Sequence, residues 1–288
     1  MDLSTWIKKE RKLEVETPHL HRPAQYLLLS TRRQNFLWTV LSMFLAILLW
    51  DLFVRLTNVP PFILPSPRLV LERFLQVLQD GSLLRHSLVT LQEVLAGLAL
   101  GLTTASALGY LLAKSRWAER LLAPYIVASQ SIPTVAIAPL LVIWFGPGLF
   151  SKVLTSALIV FFPVLVNSIV GLRSVPADLR DLMRSLHATR WQMFTLLEIP
   201  ASLPVVLGGL RVGATLSVIG AVVGEFVGAD QGLGFMINRA RGQYDTALVF
   251  VAVLTLVAMA LALYGIVVLL ESRLLSWRNG AEKTTQTV

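Results

Sequence analysis

The side chains able to do chemistry in this 288-residue chain are scattered. There is no cysteine, which removes disulfides, thiolate nucleophiles and cysteine-based metal sites. The four histidines, His19, His21, His86 and His187, share no motif, and surface or structural roles fit each of them. The chain carries no G-x-x-x-x-G-K-S/T phosphate loop, no H-E-x-x-H pair and no G-x-S-x-G elbow. It therefore holds no catalytic, cofactor or metal constellation, and any nucleotide-driven work requires an ATPase on another chain.

The polar groups that remain notable lie inside apolar stretches, where an ionisable side chain is costly and tends to face a cavity or a partner. Glu225, in VVGEFVGA, is the sharpest. It reads either as a cavity-facing group that gates or contacts a solute, or as an interfacial carboxylate paired with Arg239 or Arg241. Gln92, Glu93, Gln130 and Asn167 read first as hydrogen-bonding groups between helices.

The elements that must position these groups are membrane spans. The chain is 55% hydrophobic and 15% charged, with a mean hydropathy of +0.68, which is the balance of a polytopic membrane protein. Six spans are predicted: Asn35 to Leu56, Leu88 to Ala113, Leu121 to Phe145, Val153 to Leu172, Leu203 to Val227 and Thr246 to Leu270. They make an all-α bundle over residues 35–272, between a basic tail at 1–34 and a polar tail at 273–288. A proline-rich turn leads into an amphipathic, interfacial helix from Pro67 to Leu78. Pro133, Pro139 and Pro163 invite kinks within spans. Glycines at helical spacing, Gly97 with Gly101, Gly209 with Gly213, and Gly220, Gly224 and Gly228, allow close helix approach.

The net charge of +8 sets orientation in such a protein and does not imply nucleic acid. Lysines and arginines concentrate in the N-terminal tail, in KSRWAER and in the segment from Arg173 to Pro200, so both termini are expected in the cytoplasm.

That last segment, RSVPADLRDLMRSLHATRWQMFTLLEIP, is a polar island between apolar spans. Leu179, Leu182, Met183 and Leu186 recur at helical spacing, with Asp178, Arg180, Asp181 and Arg184 on the other face. Pro176 suits a first helical turn, and Thr189 starts a second amphipathic piece through Trp191, Met193, Phe194 and Leu197. A short rigid helix with an apolar anchor and a charged rim is suited to docking in a groove on another protein.

The island resembles the cytoplasmic coupling loop, here 173–200, of permeases of binding-protein-dependent ABC importers. The family motif reads E-A-A, three residues, G, nine residues, I-x-L-P. Asp181, Leu182 and Met183 fall at its first three positions, His187 at the glycine, Leu197 at the isoleucine and Ile199-Pro200 at its end. Aspartate keeps the carboxylate, and histidine stands where glycine suits a turn of positive φ. The resemblance extends through LPSPRLVLERF, SIPTVAIAPLLVIWFGPGLFSKV, FFPVLVNSIVGLRSVP and GEFVGADQGLGFMI. It is similar to the subfamily importing nitrate, bicarbonate, taurine and other sulfonates, thiamine-precursor pyrimidines or riboflavin, and VGEFVGADQGLGFMI with QYDTALVF is more similar to the vitamin and pyrimidine branch than to the nitrate branch, which makes riboflavin or a thiamine-type pyrimidine the expected solute and a sulfonate the alternative.

The resemblance implies a type I importer fold in the plasma or inner membrane, a permease homodimer, a cytoplasmic ATPase dimer and an extracytoplasmic solute-binding protein, with no cofactor. It implies ATPase coupling through Asp181, Leu182, Met183, Arg184, Leu186 and His187. For the solute pathway the candidates are Ser129, Gln130, Thr134, Phe162, Asn167 and Glu225, since aromatics with sparse polar groups suit a flat heterocycle. A membrane-embedded enzyme is opposed by the lack of clustered His and acidic residues, and a stand-alone carrier by the scarcity of intramembrane ionisable groups beyond Glu93 and Glu225.

Overall fold

A computed structural model describes residues 25–130 and 132–276, with side chains described from Trp38 onwards except at Arg116, Val127, Gln130 and Ser131. The chain divides into two compact units, Met1–Asn58 and Val59–Val288. The first holds one helix, α1 (Gln25–Thr57), which begins within the predicted basic tail and exposes Trp38, Met43, Phe44 and Leu49 along its apolar length. Asp51 and Arg55, one turn apart, form a 2.7 Å ion pair near its end.

The second unit starts with α2 (Pro67–Gln79), capped by Ser66, whose hydroxyl accepts from the Leu69 amide, with Pro67 in the first turn. It buries Val70 and Val77 and leaves its charged face outward, as its amphipathic pattern predicts. Then follow α3 (Ser82–Lys114), α4 (Arg116–Gln130), α5 (Thr134–Phe145), α6 (Leu149–Arg173), α7 (Ala177–Ser185), α8 (Ile199–Gly228), α9 (Leu233–Gly242) and α10 (Thr246–Leu274). Between α7 and α8 lie one helical turn, Arg190–Gln192, and a π-helical segment, Met193–Glu198.

Among the described residues, five helical stretches are long and apolar enough to cross a membrane: 38–57, 82–114, 149–173, 190–228 and 246–274. The remaining predicted span, Leu121 to Phe145, is two helices rather than one. Pro133 has no N–H to continue the ladder and instead caps α5, so the single span expected there is corrected to α4 and α5 joined by a break. Pro139 and Pro163, by contrast, are carried inside α5 and α6.

Three helices make the core: α6 packs along both α3 and α8. Glycine permits the contact, because a Cβ on Gly97 would lie 2.4 Å from the Ser156 side chain and one on Gly220 would lie 2.5 Å from Ser156 Cα. Ser156 sits between the two and donates its hydroxyl to the Ser217 carbonyl at 3.0 Å. Val160, Val164 and Leu165 of α6 fill the interior with Ala105 and Leu112 of α3. Val94, Ala214, Val218 and Ala221 continue it towards Leu263 and Val267 of α10. Arg73 of α2 pairs with Asp245 at 2.8 Å, and Asp245 also caps α10 through the Leu248 amide, so the interfacial helix is tied to the last span.

Candidate functional site

The polar island ends α6 and begins α8. Its helix α7 buries no residue. Leu182 and Leu186 stand 55% and 68% exposed, beside exposed Asp181 and Arg184, which pair with each other at 2.8 Å. Met183 is half-buried. The expected apolar anchor is thus present, and Leu182 rather than Met183 carries more of its free surface.

At the C-terminus of α7 the Ala188 amide donates to the Met183 carbonyl at 3.0 Å and the His187 amide to the Arg184 carbonyl at 2.9 Å. That paired pattern is a Schellman turn, whose residue after the cap adopts the left-handed conformation. The residue in question is His187, at φ 53°. The turn keeps the shape that glycine favours at that motif position, with histidine bearing the strain of a side chain.

The next piece opens with a reciprocal capping box: Thr189 Oγ1 accepts from the Gln192 amide at 3.2 Å, and Gln192 Oε1 accepts from the Thr189 amide at 2.8 Å. In the π segment the Ile199 amide reaches the Phe194 carbonyl, five residues back. Pro200 follows without an amide hydrogen, which leaves the widened turn uncontested. Phe194 packs edge-on against Tyr110 at 5.0 Å, and Lys114 pairs with buried Glu198. Arg173 forks onto both oxygens of Glu119, Arg180 donates to the Leu172 carbonyl at 2.6 Å, and Arg211 pairs with Glu271. The end of the bundle that carries the island is therefore fastened helix to helix by charge pairs: α3 to the π segment, α4 to α6, and α8 to α10.

At the opposite end lies a buried polar cluster. Glu225 is 1% exposed. It accepts from the Thr90 hydroxyl at 2.6 Å and from the Gly234 amide. Thr90 Oγ1 accepts in turn from the Leu233 amide at 2.8 Å, and His86 Nδ1 accepts from the Gly232 amide at 3.0 Å. Lys152 Nζ lies 3.6 Å from Glu93 Oε1, both fully buried, in an ion pair too long for a hydrogen bond. One carboxylate thus gathers α3, α8 and the start of α9. On sequence Glu225 reads as a cavity-facing group or as a partner of Arg239 or Arg241; in the structure its hydrogen-bond partners are the Thr90 hydroxyl and the Gly234 amide.

Among the described residues, none of the other expected pathway residues is a hydrogen-bond partner of Glu225. Ser129, half-buried in α4, donates to the Tyr125 carbonyl; Thr134 starts α5; Phe162 stacks edge-on with Phe161 at 5.2 Å. Asn167 donates to the Pro163 carbonyl at 2.8 Å and packs under Gly209, so it works at the α6–α8 contact. The side chain of Gln130 lies outside the described residues. Sequence reasoning missed Thr90 and Lys152 as partners of the acidic groups, and Glu198 as the buried partner of Lys114. A hydroxyl and a lysine at the edges of apolar runs, and a glutamate just before Ile199-Pro200, were the only signals.

The described residues thus form a multi-span helical bundle interrupted by a surface-exposed amphipathic helix. The chain belongs to the binding-protein-dependent transport system inner membrane component family, whose model matches residues 97–276. It is 48% identical over 248 residues to the riboflavin transport system permease protein RibX of Chloroflexus aurantiacus, covering 85% of this chain and 92% of that one. It is 35% identical over 248 residues to the formylaminopyrimidine transport permease protein ThiX of Halalkalibacterium halodurans, covering 86% and 98%. With the taurine transport system permease protein TauC of Escherichia coli it shares 32% over 245 residues, covering 82% and 88%. Its fold matches a chain of the inward-facing MetNI methionine ABC transporter with a TM-score of 0.62 at 18% identity, over 68% of this chain and 97% of that one. The protein is a multi-pass inner-membrane permease subunit of an ABC importer, not an enzyme; ATP is hydrolysed on a separate ATPase, and the family works with a solute-binding protein.

Proposed function

We propose that this permease imports riboflavin or a thiamine-type pyrimidine, as half of a homodimer, and receives its ATPase on α7. The substrate reading is supported by the 48% identity with RibX over nearly the full length of both chains, followed by the likeness to ThiX. The coupling reading is supported by one observation above others: α7 holds Leu182 and Leu186 out to solvent among the described residues, on a helix whose C-terminus is closed by a Schellman turn that leads directly into the Thr189 capping box of the next turn.

In this reading the island end faces the cytoplasm, with both chain termini on that side. Asp181, Leu182, Met183, Arg184, Leu186 and His187 form the surface inserted into the ATPase, and closure of the ATPases moves α7 as a lever. The rigid link from lever to pathway is the π segment, held to α3 by the Phe194–Tyr110 stack and the Lys114–Glu198 pair. Ser129, Gln130, Thr134 and Phe162 are the pathway candidates, with Asn167 and Glu225 acting from behind as helix-joining groups.

The experiment for the substrate is ligand binding by the partner solute-binding protein, screened over riboflavin, formylaminopyrimidine, taurine, nitrate and bicarbonate. Binding of riboflavin or the pyrimidine alone supports the reading. Preference for taurine or an inorganic anion overturns it.

A further inference from the structure

A cavity of about 530 Å³ lies where α3, α4, α6 and α7 meet, lined by Ala113, Glu119, Arg120, Arg173 and Arg180. Arginines outnumber the carboxylate there, and that carboxylate already accepts the Arg173 fork. Arg120 is exposed and forms no ion pair among the described residues. Arg180 gives one Nη to the Leu172 carbonyl, while its Nε is shut off from solvent with no acceptor. A buried donor without an acceptor is costly, so an acceptor brought from outside gains more here than at an open surface.

The surroundings are graded from charged to apolar. A neighbouring cavity of about 290 Å³ shares Ala113 and Arg180 and adds Lys114, Arg184 and Glu198. Through Leu172 it adjoins a third, of about 350 Å³, walled by Tyr110, Phe194, Leu203 and Val206. The charged cavity stands at the end of α6, where a span leaves the apolar layer.

We infer that the Arg120–Arg173–Arg180 cavity binds a phosphoryl anion, the chemistry shared by an anionic phospholipid headgroup and free phosphate. Guanidinium forks match phosphoryl oxygens in geometry, and basic pockets between spans take acidic headgroups. A lipid would place its phosphate on the arginines and an acyl chain along Tyr110, Leu203 and Val206.

The test uses the full-length permease purified with its ATPase and stripped of lipid. Phosphatidylglycerol, phosphatidylcholine of the same chains and inorganic phosphate are titrated separately, the lipids read by native mass spectrometry and phosphate by calorimetry. Arg120→Gln removes an exposed, unpaired cation, so folding is preserved; Arg180→Gln removes the buried donor. Phosphatidylglycerol is expected to bind the wild type and to weaken about tenfold in Arg120→Gln and further in Arg180→Gln, with phosphatidylcholine unaffected. Phosphate binding with the same sensitivity, but no lipid preference, supports the anion site and identifies the free ion as its source. Equal binding of phosphatidylglycerol and phosphate by all three proteins overturns the inference. So does a loss of ATPase retention in the variants with lipid and phosphate binding unchanged, which would make the arginines partner contacts.

Discussion

Thr90 donates its hydroxyl to Glu225 at 2.6 Å, joining α3 to α8 across 135 positions of sequence, and the same oxygen accepts the Leu233 amide at the start of α9. Removing the carboxylate strips the Gly234 amide of its acceptor and leaves the Thr90 hydroxyl only the His86 carbonyl at 3.2 Å. Bonds to a charged group contribute about 1.5–3 kcal/mol each. Glu225→Ala is therefore expected to destabilise the permease by about 3 kcal/mol and to lower its amount in the membrane, while Glu225→Gln retains an acceptor and loses less. The thermal midpoint in detergent checks this. An unchanged midpoint with weakened solute affinity would instead return Glu225 to the pathway.

Lys152 and Glu93 face each other at 3.6 Å with almost no solvent access. Breaking a buried pair leaves one uncompensated charge and costs about 3–5 kcal/mol, whereas replacing both partners is far milder. Lys152→Met alone should thus be poorly folded, and Lys152→Met with Glu93→Gln should recover most of the loss. The double-variant comparison of detergent stability decides it; equal losses in single and double variants would show that the two side chains do not act as a pair.

His187 carries φ 53° at the end of α7. A left-handed conformation costs a non-glycine residue roughly 1–2 kcal/mol, most for β-branched residues. His187→Gly should keep or improve ATPase retention and uptake, and His187→Val should lower both by distorting the turn. Quantitative co-purification over the three proteins reads the effect, and equal retention by valine would show that the turn shape is immaterial.

The sequence-level legibility of this permease follows from the range of the interactions. The extents of α2 and α7 and the start of the second island helix at Thr189 were readable because proline, capping residues and 3.6-residue periodicity are local. The glycine spacing of Gly97 and Gly220 announced close packing, though Ser156 as the shared contact could not be named from it. From sequence the break at Pro133 reads as a kink within one span, because a proline's effect depends on whether neighbouring helices hold the two halves in line. The surroundings of Glu225 were out of reach: Thr90 and Gly234 come to it only through the packing of α3, α8 and α9. The π segment likewise carries no pattern of its own beyond Pro200.

The central claim is that α7 is the surface through which ATP hydrolysis on another subunit moves this one. Leu182 and Leu186 are exposed, so Leu182→Glu with Leu186→Glu costs the fold little and strikes the docking face alone. The decisive measurement is ATP-driven uptake of riboflavin and of formylaminopyrimidine by vesicles containing the complete transporter, with ATPase retention measured on the same preparation. The account predicts that the double variant reaches the membrane at the wild-type level, retains its ATPase at least about tenfold more weakly and takes up nothing above background. Wild-type retention together with wild-type uptake would contradict it.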